Sequence, residues 1–410
     1  MSDPSVHVAI IGAGHAGGSV AALLRQYGWK GPITLIGAEP MPPYQRPPLS
    51  KAWLNREADA TTLALRPAAF YPANAITLRL ATHATGIDPE NRNVTLASGE
   101  RLGYDQLILA TGARPRRLPI PGHDLAGVLA LRGVADADLL QAALTRRSRL
   151  AVIGGGYIGL EVAASARALG VAVTVVEREA RVLARVASPP LSAFFTRAHA
   201  ANDVRILCGT GIAAIDGAAG RVFGLRLADG TSLPCDTVLV GVGAAPDDAL
   251  ARAAGLACDD GVLVDLAART TDPHIHAIGD CTRRPLPLYG RTGRLESVPN
   301  AQEQAKQAAA DLCGRRPPVP EVPWFWSDQY DIRLQIAGLP FDVDDIVLRG
   351  DPAGGKFAAF HLAADGAIQA VEAVNAPAEF MAGRSMIARR TRTTAASLRD
   401  MSRSMQELAA

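Results

Sequence analysis

Short apolar runs alternate with helix-period stretches from the start of this chain. Val6–Ile11 is an apolar run that stops at Gly12, Ala16–Tyr27 repeats its apolar residues at helical spacing, and Ile33–Ile36 is a second apolar run. Runs of this length predict buried strands, and the order strand, helix, strand predicts a βαβ unit. The same grammar returns at Leu150–Ile153, Gly159–Leu169 and Ala172–Val176. The two starts lie about 140 residues apart, which is domain spacing rather than solenoid spacing.

Between them, Gln106–Leu109 predicts a strand ending in Ala110-Thr111-Gly112, and Pro115, Pro119 and Pro121 mark a linker. Thr237–Val242 predicts the strand that closes the second unit, ahead of Pro246. Short strands are expected from Gly261 to Asp280, a helix over Ala301–Leu312, and a proline-rich boundary over Arg315–Pro323. From Trp324 to about Val374 the pattern alternates like strands, then turns helical and basic. The expected fold class is therefore α/β, with two Rossmann-like dinucleotide-binding domains and a C-terminal α+β domain.

The turn after the first strand reads Gly12-Ala13-Gly14-His15-Ala16-Gly17. Gly12 permits a tight turn, Gly14 lets backbone approach a pyrophosphate, and Gly17 lets helix and strand pack closely. The helix start presents free N–H groups and positive dipole to phosphates. Glu39, just past the next strand, is placed to accept from a ribose. The second turn, Gly154-Gly155-Gly156-Tyr157-Ile158-Gly159, is followed by a strand ending at Glu177. A carboxylate there binds a ribose hydroxyl and repels a 2′-phosphate, which favours NADH over NADPH, although Arg178 follows at once. Gly241 and Gly243, at the end of the closing strand, complete this second set. A third motif, Thr271-Asp272-Pro273-His274-Ile275-His276-Ala277-Ile278-Gly279-Asp280, runs strand sequence into Gly-Asp. Asp280 is either a ligand for a polyol chain or a capping Asp in a turn.

Composition narrows the class without changing this picture. The chain has 410 residues, 48% hydrophobic and 20% charged, the profile of a globular enzyme of two to four domains. A net charge of +2 argues against nucleic acid or a membrane surface as partner. Cys208, Cys235, Cys258, Cys281 and Cys313 form no C-x-x-C, so reduced thiols and a cytoplasmic address are expected. The N-terminal sequence lacks the basic-then-apolar pattern of a signal peptide. The longest uncharged stretch, Val8–Leu24, contains four glycines and reads as strand, turn and helix, not a membrane span. Only four of the 42 basic residues are lysine, which singles out Lys51.

These motifs, together with Arg46-Pro47-Pro48-Leu49-Ser50-Lys51, Ala110-Thr111-Gly112, Gly279-Asp280-Cys281, Glu296-Ser297-Val298-Pro299-Asn300-Ala301 and Trp324-Phe325-Trp326-Ser327-Asp328-Gln329-Tyr330, make a family likeness. The chain resembles the FAD-dependent NADH:ferredoxin (putidaredoxin-type) reductases, relatives of glutathione reductase. The resemblance implies a discontinuous FAD-binding domain over 1–113 and 247–320, an NADH-binding domain over 114–246 and a C-terminal domain over 321–410. It implies FAD contacts at Ala16, Glu39, Arg46, Lys51, Ala84, Arg132, Asp280, Val298 and Trp326. Lys51 beside the flavin N5 would stabilise the negative charge of reduction, and Glu161 would pair with it and meet the nicotinamide amide. The helix following Pro299 would offer its N-terminus to the flavin N1–O2 edge.

Disulfide-using relatives carry a redox cysteine soon after the first turn, whereas here Tyr44-Gln45-Arg46-Pro47-Pro48-Leu49-Ser50 has none. Electrons are then expected to leave the flavin directly, one at a time, to a [2Fe–2S] ferredoxin feeding an oxygenase or monooxygenase. An acidic ferredoxin predicts a basic docking face, with Lys306, Arg315, Arg316, Arg384, Arg389, Arg390 and Arg392 as candidates. Two other readings stay open: an NADH-dependent reductase of a small-molecule acceptor, and a redox switch like apoptosis-inducing factor. Monomer and homodimer are equally compatible with the sequence.

Overall fold

A computed structural model describes residues 4–409; Met1–Asp3, on which the leader expectation partly rests, and Ala410 lie outside them. The chain divides into two compact units. The first takes the chain up to Arg46, Ala60–Arg114 and Ala245–Pro323; the second takes Pro47–Asp59, Pro115–Ala244 and the chain from Trp324 onward.

In the first unit a parallel sheet runs in the order Ile275–Ala277, Gln106–Leu109, Val8–Ile11, Ile33–Ile36, Ile76–Arg79. Val8–Ile11 is central and buried on both faces, which is why it reads as a continuous apolar run rather than an alternation. Its neighbours lie on opposite sides, so the strand order reverses around it. The crevice beyond its C-terminal end is where such folds place ligands. Helix His15–Gln26 packs on helix Val298–Leu312 through Val20, Ala21 and Leu24 against Ala301, Ala305 and Ala308. Small side chains on the second helix let the two come close. This second helix starts at Val298 rather than at the expected Ala301, because Ser297 caps it.

The second unit holds another parallel sheet, ordered Val204–Leu207, Ala172–Val176, Arg149–Ile153, Thr237–Val240, Val128–Leu129. Helix Tyr157–Ala168 follows its central strand. The same unit contains a five-stranded antiparallel sheet in the order Trp324–Gln329, Ile332–Gly338, Ile368–Val374, Lys356–Leu362, Asp345–Asp351. Both sheets share one core, in which Leu160, Val162 and Phe195 meet Leu334, Ile336, Phe357 and Val374. Leu54 is buried in that core too, which ties the Pro47–Asp59 segment to this unit. A buried Glu372 on strand Ile368–Val374 accepts from the backbone N–H and hydroxyl of Ser188, the cap of helix Pro189–Ala201, and so fastens the antiparallel sheet to that helix. Among the described residues no helix is long and apolar enough to cross a membrane.

Candidate functional site

The two glycine turns have the same construction. Gly12 has φ +112°, and a Cβ on it would lie 2.1 Å from the Ala110 carbonyl oxygen, so only glycine fits. On Gly17 a Cβ would lie 1.9 Å from the Gly12 carbonyl oxygen, so helix and turn touch backbone to backbone. A Cβ on Gly14 would meet nothing within 4 Å, which leaves an open face. At the second turn Gly154 faces the Gly241 carbonyl oxygen, Gly159 faces that of Gly154, and Gly156 is open. The Gly241-Val242-Gly243 strand end is thereby brought against the turn, with Arg185 beside Gly243.

Both helices are capped by glycine, Gly14 and Gly156, and neither cap offers a side-chain acceptor. Among the described residues, the N–H groups of His15, Ala16 and Gly17, and of Tyr157, Ile158 and Gly159, find no acceptor. Helices capped by Ser188, Ser297 and Thr394 instead spend such donors on the cap hydroxyl. Two sets of unsatisfied first-turn N–H groups at positive helix ends, each beside an open glycine face, are anion seats.

Around the first seat, Gly279 has φ +83° and packs on Ala16, which sets the Gly279–Asp280 turn at the helix start. Gln304 holds that turn from behind, its Oε1 accepting from Gly279 N–H at 2.8 Å and Thr282 Oγ at 2.9 Å. Glu39 accepts from Tyr44 Oη at 2.5 Å and from Arg46 at 2.7 Å. The nearby cation is therefore Arg46, since burial, then the charge of Arg46, holds the His15 imidazole below its usual range. At helix Val298–Leu312, Pro299 has no N–H and Ser297 accepts from Asn300 N–H and Ala301 N–H. The Val298 N–H is left as the open donor of that turn.

In the second unit, Glu177 Oε2 accepts from Gly155 N–H at 2.7 Å and Oε1 from Glu179 N–H at 2.8 Å, so the acid braces the turn it follows. Arg178 points to solvent and pairs with Glu179. Tyr157 lies edge-on to Phe325, with ring centroids 4.8 Å apart. Ile158 is 51% exposed beside it.

The same unit contains a buried ion pair. Glu161, one turn into the helix, is only 6% exposed. Its Oε2 takes Lys51 Nζ at 2.6 Å and Ser50 Oγ at 2.5 Å, and its Oε1 takes Ser327 Oγ at 2.7 Å. Ser165 Oγ donates to the Ser50 carbonyl at 2.8 Å and so pins the segment that carries Lys51. A buried carboxylate needs such partners to stay charged. Sequence reasoning pairs Lys51 with Glu161 but misses Ser50 and Ser327, although both lie within quoted motifs; Tyr44 and Gln304 gave no signal of their own.

The expected residues are shared between the two units. Gly12, Gly14, Ala16, Gly17, Glu39, Arg46, Asp280 and Val298 belong to the first unit, as does Ala84, which opens a separate antiparallel strand, Ala84–Asp88. Lys51, Arg132 and Trp326 belong to the second unit. There the Arg132 N–H bonds Asp136, and Trp326 lies mid-strand, 5.7 Å from Trp324. All five cysteines are free thiols, and burial pushes the Cys281 thiol up. Of the candidate docking residues, Arg315 stacks on Tyr27, Arg384 lies over Trp324 and Arg392 pairs with Asp365.

Residues 6–305 match the family model described as pyridine nucleotide-disulphide oxidoreductase, and residues 324–409 match the reductase C-terminal model. The chain is 52% identical to a probable ferredoxin reductase of Castellaniella defragrans over 94% of both chains. It is 44% identical to rhodocoxin reductase of Rhodococcus erythropolis, over 93% of this chain and 89% of that one. The crystal structure of a covalent putidaredoxin reductase–putidaredoxin complex superposes with a TM-score of 0.96 at 42% identity, covering 99% of this chain and 98% of the other.

Proposed function

This chain belongs to the pyridine nucleotide-disulphide oxidoreductase family, and within it we propose an NADH-dependent, FAD-containing ferredoxin reductase. It passes electrons singly to a [2Fe–2S] ferredoxin that serves an oxygenase or monooxygenase. The observation that carries this reading is the pair of glycine-capped helix starts with unsatisfied N–H groups, because it calls for two dinucleotides rather than one. Relatives named as ferredoxin reductases, and a like structure captured with putidaredoxin, support a protein acceptor.

The residues fit the two cofactors. FAD is assigned to the domain over 1–113 and 247–320, where Gly14 leaves room, Ala16 and Val298 offer N–H groups, Arg46 offers a cation and Asp280 a carboxylate. Glu39, Lys51, Ala84, Arg132 and Trp326 complete the assigned set. NADH is assigned to 114–246, at Gly154, Gly156, Tyr157, Ile158, Gly159, Glu177, Gly241 and Gly243, and 321–410 forms the C-terminal domain. When bound, FAD supplies the means to accept two electrons at once and release them one by one. Lys51 supplies positive charge where reduction adds negative charge, and Glu161 holds that ammonium in place. The buried thiol of Cys281 and the cysteine-free Tyr44–Ser50 segment supply no dithiol relay. The free thiols accord with a cytoplasmic address.

NADH-dependent cytochrome c reduction, with and without a panel of [2Fe–2S] ferredoxins, tests the reading. Strong ferredoxin dependence that falls steeply with salt, at a constant ferricyanide rate, is the expected result. Equal turnover without ferredoxin would assign a small-molecule acceptor instead, and slow turnover with every acceptor a redox switch. NADH preference is tested at Glu177. Glu177→Ala should lower kcat/KM for NADH by about tenfold, with a smaller loss for NADPH, because a charged acceptor for the ribose is lost. A native enzyme with lower KM and higher kcat/KM for NADPH would overturn the assignment.

A further inference from the structure

Behind the Lys51–Glu161 pair lies a line of buried polar side chains that the proposed function does not use. Ser327 Oγ meets Glu161 Oε1 at 2.7 Å, Gln329 Nε2 meets Ser327 Oγ at 3.2 Å, His199 Nε2 meets Gln329 Oε1 at 2.8 Å, and Tyr330 Oη meets His199 Nδ1 at 2.9 Å. Ser327, Gln329 and His199 are each at most 1% exposed, and Tyr330 is half-buried.

The direction of every bond follows from Glu161. An ionised carboxylate only accepts, so the Ser327 hydroxyl must donate to it. With its proton committed, Ser327 Oγ accepts from the Gln329 amide N–H. That turns the Gln329 carbonyl toward His199, so the ring must carry its proton on Nε2. The Nδ1 lone pair then accepts from the Tyr330 hydroxyl. Burial keeps His199 neutral, as this tautomer requires, and pushes the Tyr330 phenol up to about 12, so it stays a donor. Four donors thus point one way, and hydrogen bonds aligned in series polarise one another. Gln329 sits in the middle of the line and its amide does not hand protons on, so the line carries polarisation, not protons.

Tyr330 is the surface end, and its backbone is strained there. Its φ is +57°, unusual for an aromatic residue, in the turn between strands Trp324–Gln329 and Ile332–Gly338. The hydroxyl bond and an edge-on contact with the His199 ring, centroids 5.1 Å apart, hold that conformation.

We propose that Tyr330, His199 and Gln329 are positioning residues that act through Ser327 to aim a line of aligned donors at Glu161, and so fix the place and the field of the Lys51–Glu161 pair. The effect on the flavin rests on the assignment of Lys51 to FAD made above; the polarity of the line does not. Two variants of the FAD-loaded full chain test it. Gln329→Leu cuts the line in its middle at similar volume, and Tyr330→Phe removes only the last hydroxyl. With 15N-histidine labelling, the native protein should show His199 protonated on Nε2 and bare on Nδ1. Gln329→Leu should move that proton to Nδ1 or divide it between the nitrogens. With the line cut, the aligned donors no longer offset the negative charge that Lys51 faces. The FAD midpoint potential should then fall, with the reduced-to-oxidised ratio at fixed poise decreasing on the order of threefold in Gln329→Leu and less in Tyr330→Phe. An unchanged His199 spectrum in Gln329→Leu overturns the proposal. So does an unchanged potential in both variants beside a lowered Tm, which would make the line ordinary core. If Lys51→Met also leaves potential and reduction rate unchanged, the assignment of Lys51 has failed, while the spectrum still reports on the line itself.

Discussion

Lys51→Met should keep FAD bound and slow its reduction by NADH about 100-fold, the scale on which a single preorganised electrostatic donor acts. Methionine preserves the length and apolar character of the stem, so packing is nearly retained. What disappears is the ammonium that Glu161 faces at 2.6 Å. Removing one member of a buried pair usually leaves a costly charge behind. Here the cost is moderated, because Ser50 and Ser327 still donate to the same carboxylate and the lysine side chain is 22% exposed. Stability should therefore fall by only about 1–3 kcal/mol, while the rate loss is large. Stopped-flow flavin bleaching at saturating NADH measures the rate, and the bound-flavin spectrum measures occupancy. A native reduction rate in a flavin-replete variant would remove Lys51 from its assigned role.

Gly17→Ala and Gly14→Ala, three residues apart, should fail for opposite reasons. A methyl at Gly17 would lie 1.9 Å from a backbone oxygen in the same tight turn, where no flexible atom can yield. The helix must move off the central strand, at a cost of about 3 kcal/mol or more, and soluble yield should collapse with or without cofactor. At Gly14 the backbone is extended, φ −86° and ψ −161°, and a methyl meets nothing in the protein. Cofactor-stripped Gly14→Ala should melt like the native chain, yet bind FAD far more weakly, because the methyl occupies the space a pyrophosphate needs. Gly159→Ala and Gly156→Ala should repeat this contrast at the second turn, with the NADH KM as readout. Thermal melts of stripped protein plus flavin titration decide it. Equal thermal loss in stripped Gly14→Ala and Gly17→Ala would mean that the open face at Gly14 is only loose packing.

Much of this arrangement is legible in the sequence. Strands central to a parallel sheet are buried on both faces, so Ile33–Ile36, Gln106–Leu109 and Ala172–Val176 announce themselves as apolar runs with sharp ends. Glycines at a strand-helix junction announce a turn whose steric needs are local. Boundaries slipped where a local cap decided them: helix Val298–Leu312 begins early because Ser297 accepts the first-turn donor. The grouping of Pro47–Asp59 with the second unit was not legible, since it depends on Leu54 entering a core formed by residues from Leu140 onward, far along the chain.

The sequence by itself determined the two βαβ starts, the two glycine turns, the acids Glu39 and Glu177, and the missing cysteine. Each is encoded within a few tens of neighbouring residues, where period, turn sterics and cap chemistry act. Only the tertiary structure decided what the polar side chains do with one another. Glu161, Ser50 and Ser327 come from three distant segments, and nothing in the local pattern of any one of them states that the others will arrive. Nor could any segment alone show that Gln329 and His199 extend that cluster toward Tyr330. Burial makes these contacts count: a charge or hydroxyl removed from water must find partners, and the fold determines which ones are in reach.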